Sequence, residues 1–264
     1  MLHYRLHSAQ QKTDKLLVML HGFISDHRTY EAHLNRLTEW ANVLVVDLPG
    51  HGQDDSPISV TWDFDWIIGQ LDEVLSRYSE YRIYLQGYSM GARVALYYAL
   101  EHQDSITALI LESGSPGIRE TEQREERVKV DNARARVLEL VGIKVFVNDW
   151  EKLPLFKTQY DLPEKVRHTI REQRMSQNPQ RLAKALKDYG TGQMPNLWPK
   201  LKSLSVPVSI IVGTLDEKFV NIGRDMISEL PNGFLNEVSN VGHTVHVEDT
   251  AKFDTIIKDV LLVN

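Results

Sequence analysis

Gly87-Tyr88-Ser89-Met90-Gly91 follows a short apolar run, Tyr81-Arg82-Ile83-Tyr84-Leu85, and precedes a helix-forming one, Ala92-Arg93-Val94-Ala95-Leu96-Tyr97-Tyr98-Ala99-Leu100. The serine therefore falls at a strand-to-helix turn. Glycine on either side lets the backbone reverse so sharply that the hydroxyl of Ser89 stands clear of both elements, which is the geometry of a nucleophile elbow. The plainer reading is a helix cap in which Ser89 satisfies orphan amides. The catalytic reading is preferred because the partners it needs stand farther along the chain.

Working outward, short runs rich in Val, Ile and Leu at 16–20, 43–47, 82–86, 107–111 and 208–212 read as strands, and 234–238 reads as the last strand. Such runs suit strands buried on both faces. Helical patterns at 27–40 and 63–78 lie between them, and this alternation predicts βαβ units and a mostly parallel central sheet flanked by helices. From 118 to 202 the charges become dense, as in Arg119-Glu120-Thr121-Glu122-Gln123-Arg124-Glu125-Glu126-Arg127. Five prolines punctuate that segment into short helices (Pro154, Pro163, Pro179, Pro195, Pro199). The expected organisation is a core of 1–117 and 203–264 with a helical cap, 118–202, inserted over the C-terminal edge of the strands.

Composition narrows the chemistry. A net charge of -6 disfavours nonspecific nucleic-acid binding, which needs a positive field along the phosphates. With no cysteine there is neither a disulfide framework nor a thiolate metal site. The apolar run 16–20 is too short for membrane insertion, and the start of the chain lacks the pattern of a signal peptide, so a cytoplasmic monomer or small homo-oligomer is expected.

A serine hydroxyl is a weak nucleophile and base, so it needs an imidazole beside it and a carboxylate to orient that imidazole. The 208–212 strand runs into Gly213-Thr214-Leu215-Asp216, which places Asp216 at a strand's C-terminal end, and Gly242-His243 follows the last strand. The order serine, acid, histidine suits the elbow. Glu217 and Glu112 are the rival acids, and His246 is the rival histidine, expected to be a packed or capping residue. His243 and Ser89 are both expected in exposed loops. Reading His243-Thr244-Val245-His246 as a metal site lacks the glutamate of a zincin helix. An oxyanion hole would combine the amide of Met90 with that of Phe23 in the loop Leu20-His21-Gly22-Phe23. His21 is expected to brace that loop, and His51 of Asp47-Leu48-Pro49-Gly50-His51-Gly52 to be structural.

Together these motifs resemble the α/β-hydrolase superfamily over nearly the whole chain. That fold hosts esterases, peptidases, dehalogenases, C-C hydrolases, lyases and non-catalytic receptors. Arg93, four residues after Ser89 and so near the same helix face, narrows the choice. It is either a salt bridge to the strand ends at Asp47 or Glu112, or a carboxylate clamp.

Gly87-Tyr88-Ser89-Met90-Gly91-Ala92-Arg93 and Glu112-Ser113-Gly114-Ser115-Pro116-Gly117-Ile118 are similar to segments of the 2-succinyl-6-hydroxy-2,4-cyclohexadiene-1-carboxylate synthases, the pyruvate-eliminating lyases of menaquinone biosynthesis. Arg127-Val128-Lys129-Val130-Asp131, Phe146-Val147-Asn148-Asp149-Trp150 and Arg174-Met175-Ser176-Gln177-Asn178 resemble the cap of that family, although Arg127 is easily confused with Arg124 or Arg134. The resemblance implies that Arg93, Arg127 and Arg174 bind substrate carboxylates and that Tyr88 and Trp150 line the pocket. It also implies a 2,5-elimination from an anionic substrate with several carboxylates, with Ser89 as base and no cofactor or metal. A carboxylesterase or C-C hydrolase on the same triad, and a ligand-binding receptor on the same scaffold, stay open.

Overall fold

The structure is a computed structural model that describes residues 1–263. Its strands are β1 (His3–His7), β2 (Lys15–Leu20), β3 (Asn42–Asp47), β4 (Arg82–Tyr88), β5 (Ala108–Glu112), β6 (Val208–Gly213) and β7 (Gly233–Val238). They form one seven-stranded sheet in the order β1-β3-β2-β4-β5-β6-β7. All pairings are parallel except β1 with β3, an antiparallel edge pair that the apolar-run criterion did not detect. β1 carries the polar sequence HYRLH and is only partly buried, so it has no apolar run to find.

The helices at the ends of these strands are α1 (Glu31–Leu37), α2 (Phe64–Leu75) and α3 (Met90–Glu101). The pattern at 27–40 splits into a 3-10 turn, His27–Tyr30, and α1. Asp26 caps that turn by accepting from the Arg28 amide. Asp63 likewise accepts from the Trp66 amide and starts α2. Between β5 and β6 lie α4 (Thr121–Leu140), α5 (Ile143–Trp150), α6 (Glu164–Met175) and α7 (Pro179–Tyr189). The chain ends in α8 (Glu217–Glu229), α9 (Val245–Glu248) and α10 (Thr250–Val263).

Alternate residues of the buried strands feed two cores. Leu16, Val18 and Leu20 of β2 pack with residues of α2, α3 and α8, whereas Leu17 and Met19 pack with those of α1 and α10. That is why β2 reads as an unbroken apolar run: helices cover both faces of the sheet. A third cluster joins Ala135 and Leu138 of α4, Phe146 and Val147 of α5, and Leu182 and Leu186 of α7. Ile24, from the loop after β2, inserts into this cluster. Among the described residues no helix is long and apolar enough to cross a membrane.

Candidate active site

Ser89 sits between β4 and α3 with φ 51° and ψ −101°, a strained conformation for a residue with a side chain. Glycine at 91 makes the turn feasible, because a Cβ there would strike the carbonyl oxygens of Leu20 and His21. The Ser89 amide is tied to the Glu112 carbonyl at 2.8 Å, anchoring the elbow to the next strand.

Nε2 of His243 lies 3.1 Å from Ser89 Oγ, and its Nδ1 lies 2.6 Å from Asp216. The loops carrying the acid and the histidine interlock: the Thr214 amide donates to Val238 and the Leu215 amide to Val241. The expectation of an exposed loop is wrong for His243, which is 1% exposed. Its imidazole is walled by Phe219 at 4.6 Å and Tyr88 at 5.4 Å between ring centroids. Ser89 is half-buried.

The rival groups are placed elsewhere. Glu112, fully buried, accepts from the His246 amide at 3.0 Å and faces Nδ1 of His246 at 2.9 Å, so it serves the other histidine. Glu217 is exposed at the start of α8. His21 braces its loop: one ring nitrogen faces the Gly22 carbonyl at 2.7 Å, and the other accepts from the Leu48 amide at 3.0 Å. His51 is buried against the Pro49 carbonyl, and burial, with His21 beside it, brings its pKa down to about 3.

Met90 begins α3, so its N–H has no acceptor within the helix. Phe23 lies in the loop after β2, next to Ile24, whose φ of 58° is strained for a β-branched residue. Both Phe23 and Met90 face a cavity of about 770 Å³ under α4–α7. Every anticipated site residue except Asp216 lines it, and Asp216 stands behind His243.

The cavity is basic. Arg93 is 8% exposed and, among the described residues, its guanidinium has one hydrogen-bond partner, the Tyr189 carbonyl at 3.3 Å. The alternative of a salt bridge to Asp47 or Glu112 is not realised: Asp47 is engaged by His27 at 2.8 and 2.9 Å and Glu112 by His246. Burial, then the charge of Arg127, lowers the Arg93 pKa to about 10, which still leaves it cationic at neutral pH. Arg127 contacts Asp131 at 2.8 Å. Arg174 donates to Gln159 at 2.9 Å and to Glu151 at 3.3 Å, and lies 5.0 Å from the Phe156 ring centroid. Tyr88 donates to or accepts from Thr244 at 3.0 Å, and burial raises its phenol pKa well above the ordinary value. Trp150 stacks on Phe146 at 5.5 Å, and its buried Nε1 has no protein partner among the described residues.

Arg134, in sequence only an alternative to Arg127, lines the cavity together with it, whereas Arg124 does not. The seven-residue spacing from Arg127, two helical turns, was the available signal. Thr29, Gln159 and Lys218 also line the cavity and carried no motif. His3, His27 and Asp47 form the one grouping among the described residues that brings metal-type donors within 4.8 Å of one another. Both Nδ1 atoms there lie 2.9 Å from the Asp47 carboxylate, which hydrogen bonding already satisfies.

Comparison with known proteins identifies the fold and the family. The family model for the alpha/beta hydrolase fold matches residues 15–250. A 2-succinyl-6-hydroxy-2,4-cyclohexadiene-1-carboxylate synthase of Serratia proteamaculans (strain 568) is 31% identical over 93% of this chain and 92% of its own length. A Bacillus subtilis (strain 168) protein bearing the same family name is 34% identical over 93% of this chain and 89% of its own. The solved structure of MenH from S. aureus is 53% identical and superposes with a TM-score of 0.97, covering 99% of this chain and 98% of that one. An enol-lactonase from Burkholderia xenovorans LB400, 20% identical with a TM-score of 0.83 over 98% of this chain and 96% of its own, shares the fold alone. The chain belongs to the α/β-hydrolase superfamily and, within it, to the 2-succinyl-6-hydroxy-2,4-cyclohexadiene-1-carboxylate synthases.

Proposed function

We propose that this chain eliminates pyruvate from 2-succinyl-5-enolpyruvyl-6-hydroxy-3-cyclohexene-1-carboxylate, giving 2-succinyl-6-hydroxy-2,4-cyclohexadiene-1-carboxylate, with Ser89 as the base. The observation that carries this reading is Arg93: a buried guanidinium without a carboxylate partner, in the same cavity as the serine. A cation kept in that state costs free energy unless a ligand supplies the anion. Arg127 and Arg174 add two further positions for carboxylates, and the substrate carries three.

In this mechanism His243 takes the Ser89 proton through the 3.1 Å contact, and the serine oxygen removes the ring proton beside the succinyl ketone. Asp216 holds the imidazole in the tautomer that makes this transfer productive. The amides of Phe23 and Met90 stabilise the oxygen of the resulting enolate while the C–O bond to the enolpyruvyl group breaks. Tyr88 and Trp150 shape the pocket around the ring. The helices α4–α7 act as a cap over the core, excluding water that would otherwise compete with the elimination.

The test is pyruvate release from the enolpyruvyl substrate measured beside hydrolysis of a neutral activated ester. Fast pyruvate formation without uptake of water, with the ester a poor substrate, is the expected result. Efficient ester turnover without pyruvate release would overturn the reading.

A further inference from the structure

A second acid–imidazole–hydroxyl chain faces the same cavity. Nδ1 of His246 lies 2.9 and 3.0 Å from the two oxygens of Glu112, and Nε2 lies 3.0 Å from Thr29 Oγ1. The connectivity repeats that of Asp216, His243 and Ser89. His246 and Glu112 are almost wholly buried, while Thr29 is half-buried and both Thr29 and His246 line the cavity. The two imidazoles flank one phenol ring, with His246 4.7 Å and His243 5.4 Å from Tyr88.

Scaffolding alone accounts for part of this arrangement, since the His246 amide also donates to Glu112 and so pins α9 to the end of β5. It does not account for the hydroxyl that completes the chain at the cavity wall. Elsewhere the wall of the same cavity is polar and anion-accepting. Arg174 donates to Gln159 at 2.9 Å, Gln159 donates to Thr244 at 3.0 Å, and Tyr88 meets the same Thr244 oxygen at 3.0 Å. A guanidinium beside several hydroxyls suits a small 2-keto or 2-enol carboxylate.

The elimination ends in a second proton transfer, at a carbon other than the one the first triad deprotonates. The departing group leaves as an enolate and becomes pyruvate only when its methylene carbon gains a proton. We infer that Thr29, backed by His246 and Glu112, is the catalytic acid that protonates the departing enolpyruvate. The inference rests on the lyase reading above.

The step balances. The ring C–O bond breaks with its electron pair on the departing oxygen. The enolate collapses to the ketone as its methylene carbon takes the Thr29 hydroxyl proton, forming the third C–H bond of the methyl group. The Thr29 oxygen is reprotonated through Nε2 of His246, whose Nδ1–H stays on Glu112. The proton taken from the ring leaves the buried His243 by way of Ser89, and His246 regains one from solvent by way of the Thr29 hydroxyl at the cavity wall. One proton is lost by the ring and one is gained by pyruvate.

A hydroxyl fixed to the cavity wall delivers its proton to one face of the enolate, whereas enol released into water is protonated on both. The experiment uses substrate whose methylene carries deuterium and tritium in defined geometry and reads the chirality of the methyl group in the product pyruvate. The unaltered chain and Thr29→Ser should give chiral pyruvate. Thr29→Val should give racemic pyruvate, with KM little changed. Racemic pyruvate from the unaltered chain, or chiral pyruvate from Thr29→Val, would overturn the inference and leave the Glu112–His246 pair as scaffold. Failure of the folded, unaltered chain to release any pyruvate would instead sink the lyase reading and this step with it.

Discussion

At the scale of one residue, Arg93 carries the proposed difference between an elimination on a polycarboxylate and ordinary ester chemistry. Removing a charge-assisted hydrogen bond costs about 1.5 to 3 kcal/mol, so Arg93→Ala should lower kcat/KM on the anionic substrate roughly tenfold to more than a hundredfold. Slow hydrolysis of a neutral ester should survive, because Ser89, His243 and Asp216 are untouched. The melting temperature should hold or rise, since no carboxylate within the protein loses its partner. Equal loss of both activities together with a lower melting temperature would show that the arginine is structural. The same scale shows what could be read in advance. Ser89, Asp216 and His243 were legible because each stands beside a glycine-bearing turn at a strand end, and that local chemistry survives in the linear sequence. Thr29 was not legible, because nothing local marks it and its partner His246 is 217 residues away. The burial of His243 was missed for a related reason: the aromatic rings enclosing it come from α8 and β4.

Among the elements, the five central strands were visible because both faces are buried and the sequence must be apolar throughout. β1 was invisible because its sequence, HYRLH, has no run of apolar residues, as an edge strand is free to lack. Helix starts are set by polar side chains, and Asp63 gives a clean case. Its carboxylate accepts from the Trp66 amide at 2.8 Å at the head of α2, none of whose residues lines the cavity. Asp63→Ala should therefore cost about 1 kcal/mol of unfolding free energy, read from the urea midpoint, with kcat and KM unchanged. A variant with altered kinetics would mean that α2 communicates with the cavity.

For the molecule as a whole, net charge and cavity charge have opposite sign. The chain carries -6, yet Arg93, Arg127, Arg134 and Arg174 converge on one cavity, so added salt should raise KM for the anionic substrate. A KM constant across a wide salt range would contradict an anionic ligand. Acid should act on stability through His51 and His21, both held uncharged by burial. The folded pKa of His51 is about 3, below its value of 6.5 when unfolded, so the unfolded chain binds the proton first as pH falls. Stability is then full above about pH 6.5 and declines toward pH 3, by an amount on the order of 4–5 kcal/mol from this group. His51→Asn, which keeps an N–H for the Pro49 carbonyl, should flatten the melting temperature against pH between 6.5 and 4. An unaltered slope would assign acid sensitivity elsewhere. Finally, Ile24 belongs to the cluster formed by α4, α5 and α7, while its neighbour Phe23 carries one of the two amides proposed to hold the reacting oxygen. The roof and the electrostatic trap share a hinge pin. Any swing of those helices away from the sheet must either tear Ile24 from its socket or drag the Phe23 amide with it, so an open molecule is also a disarmed one, and a reactive intermediate meets bulk water only after the machinery that made it has been taken apart.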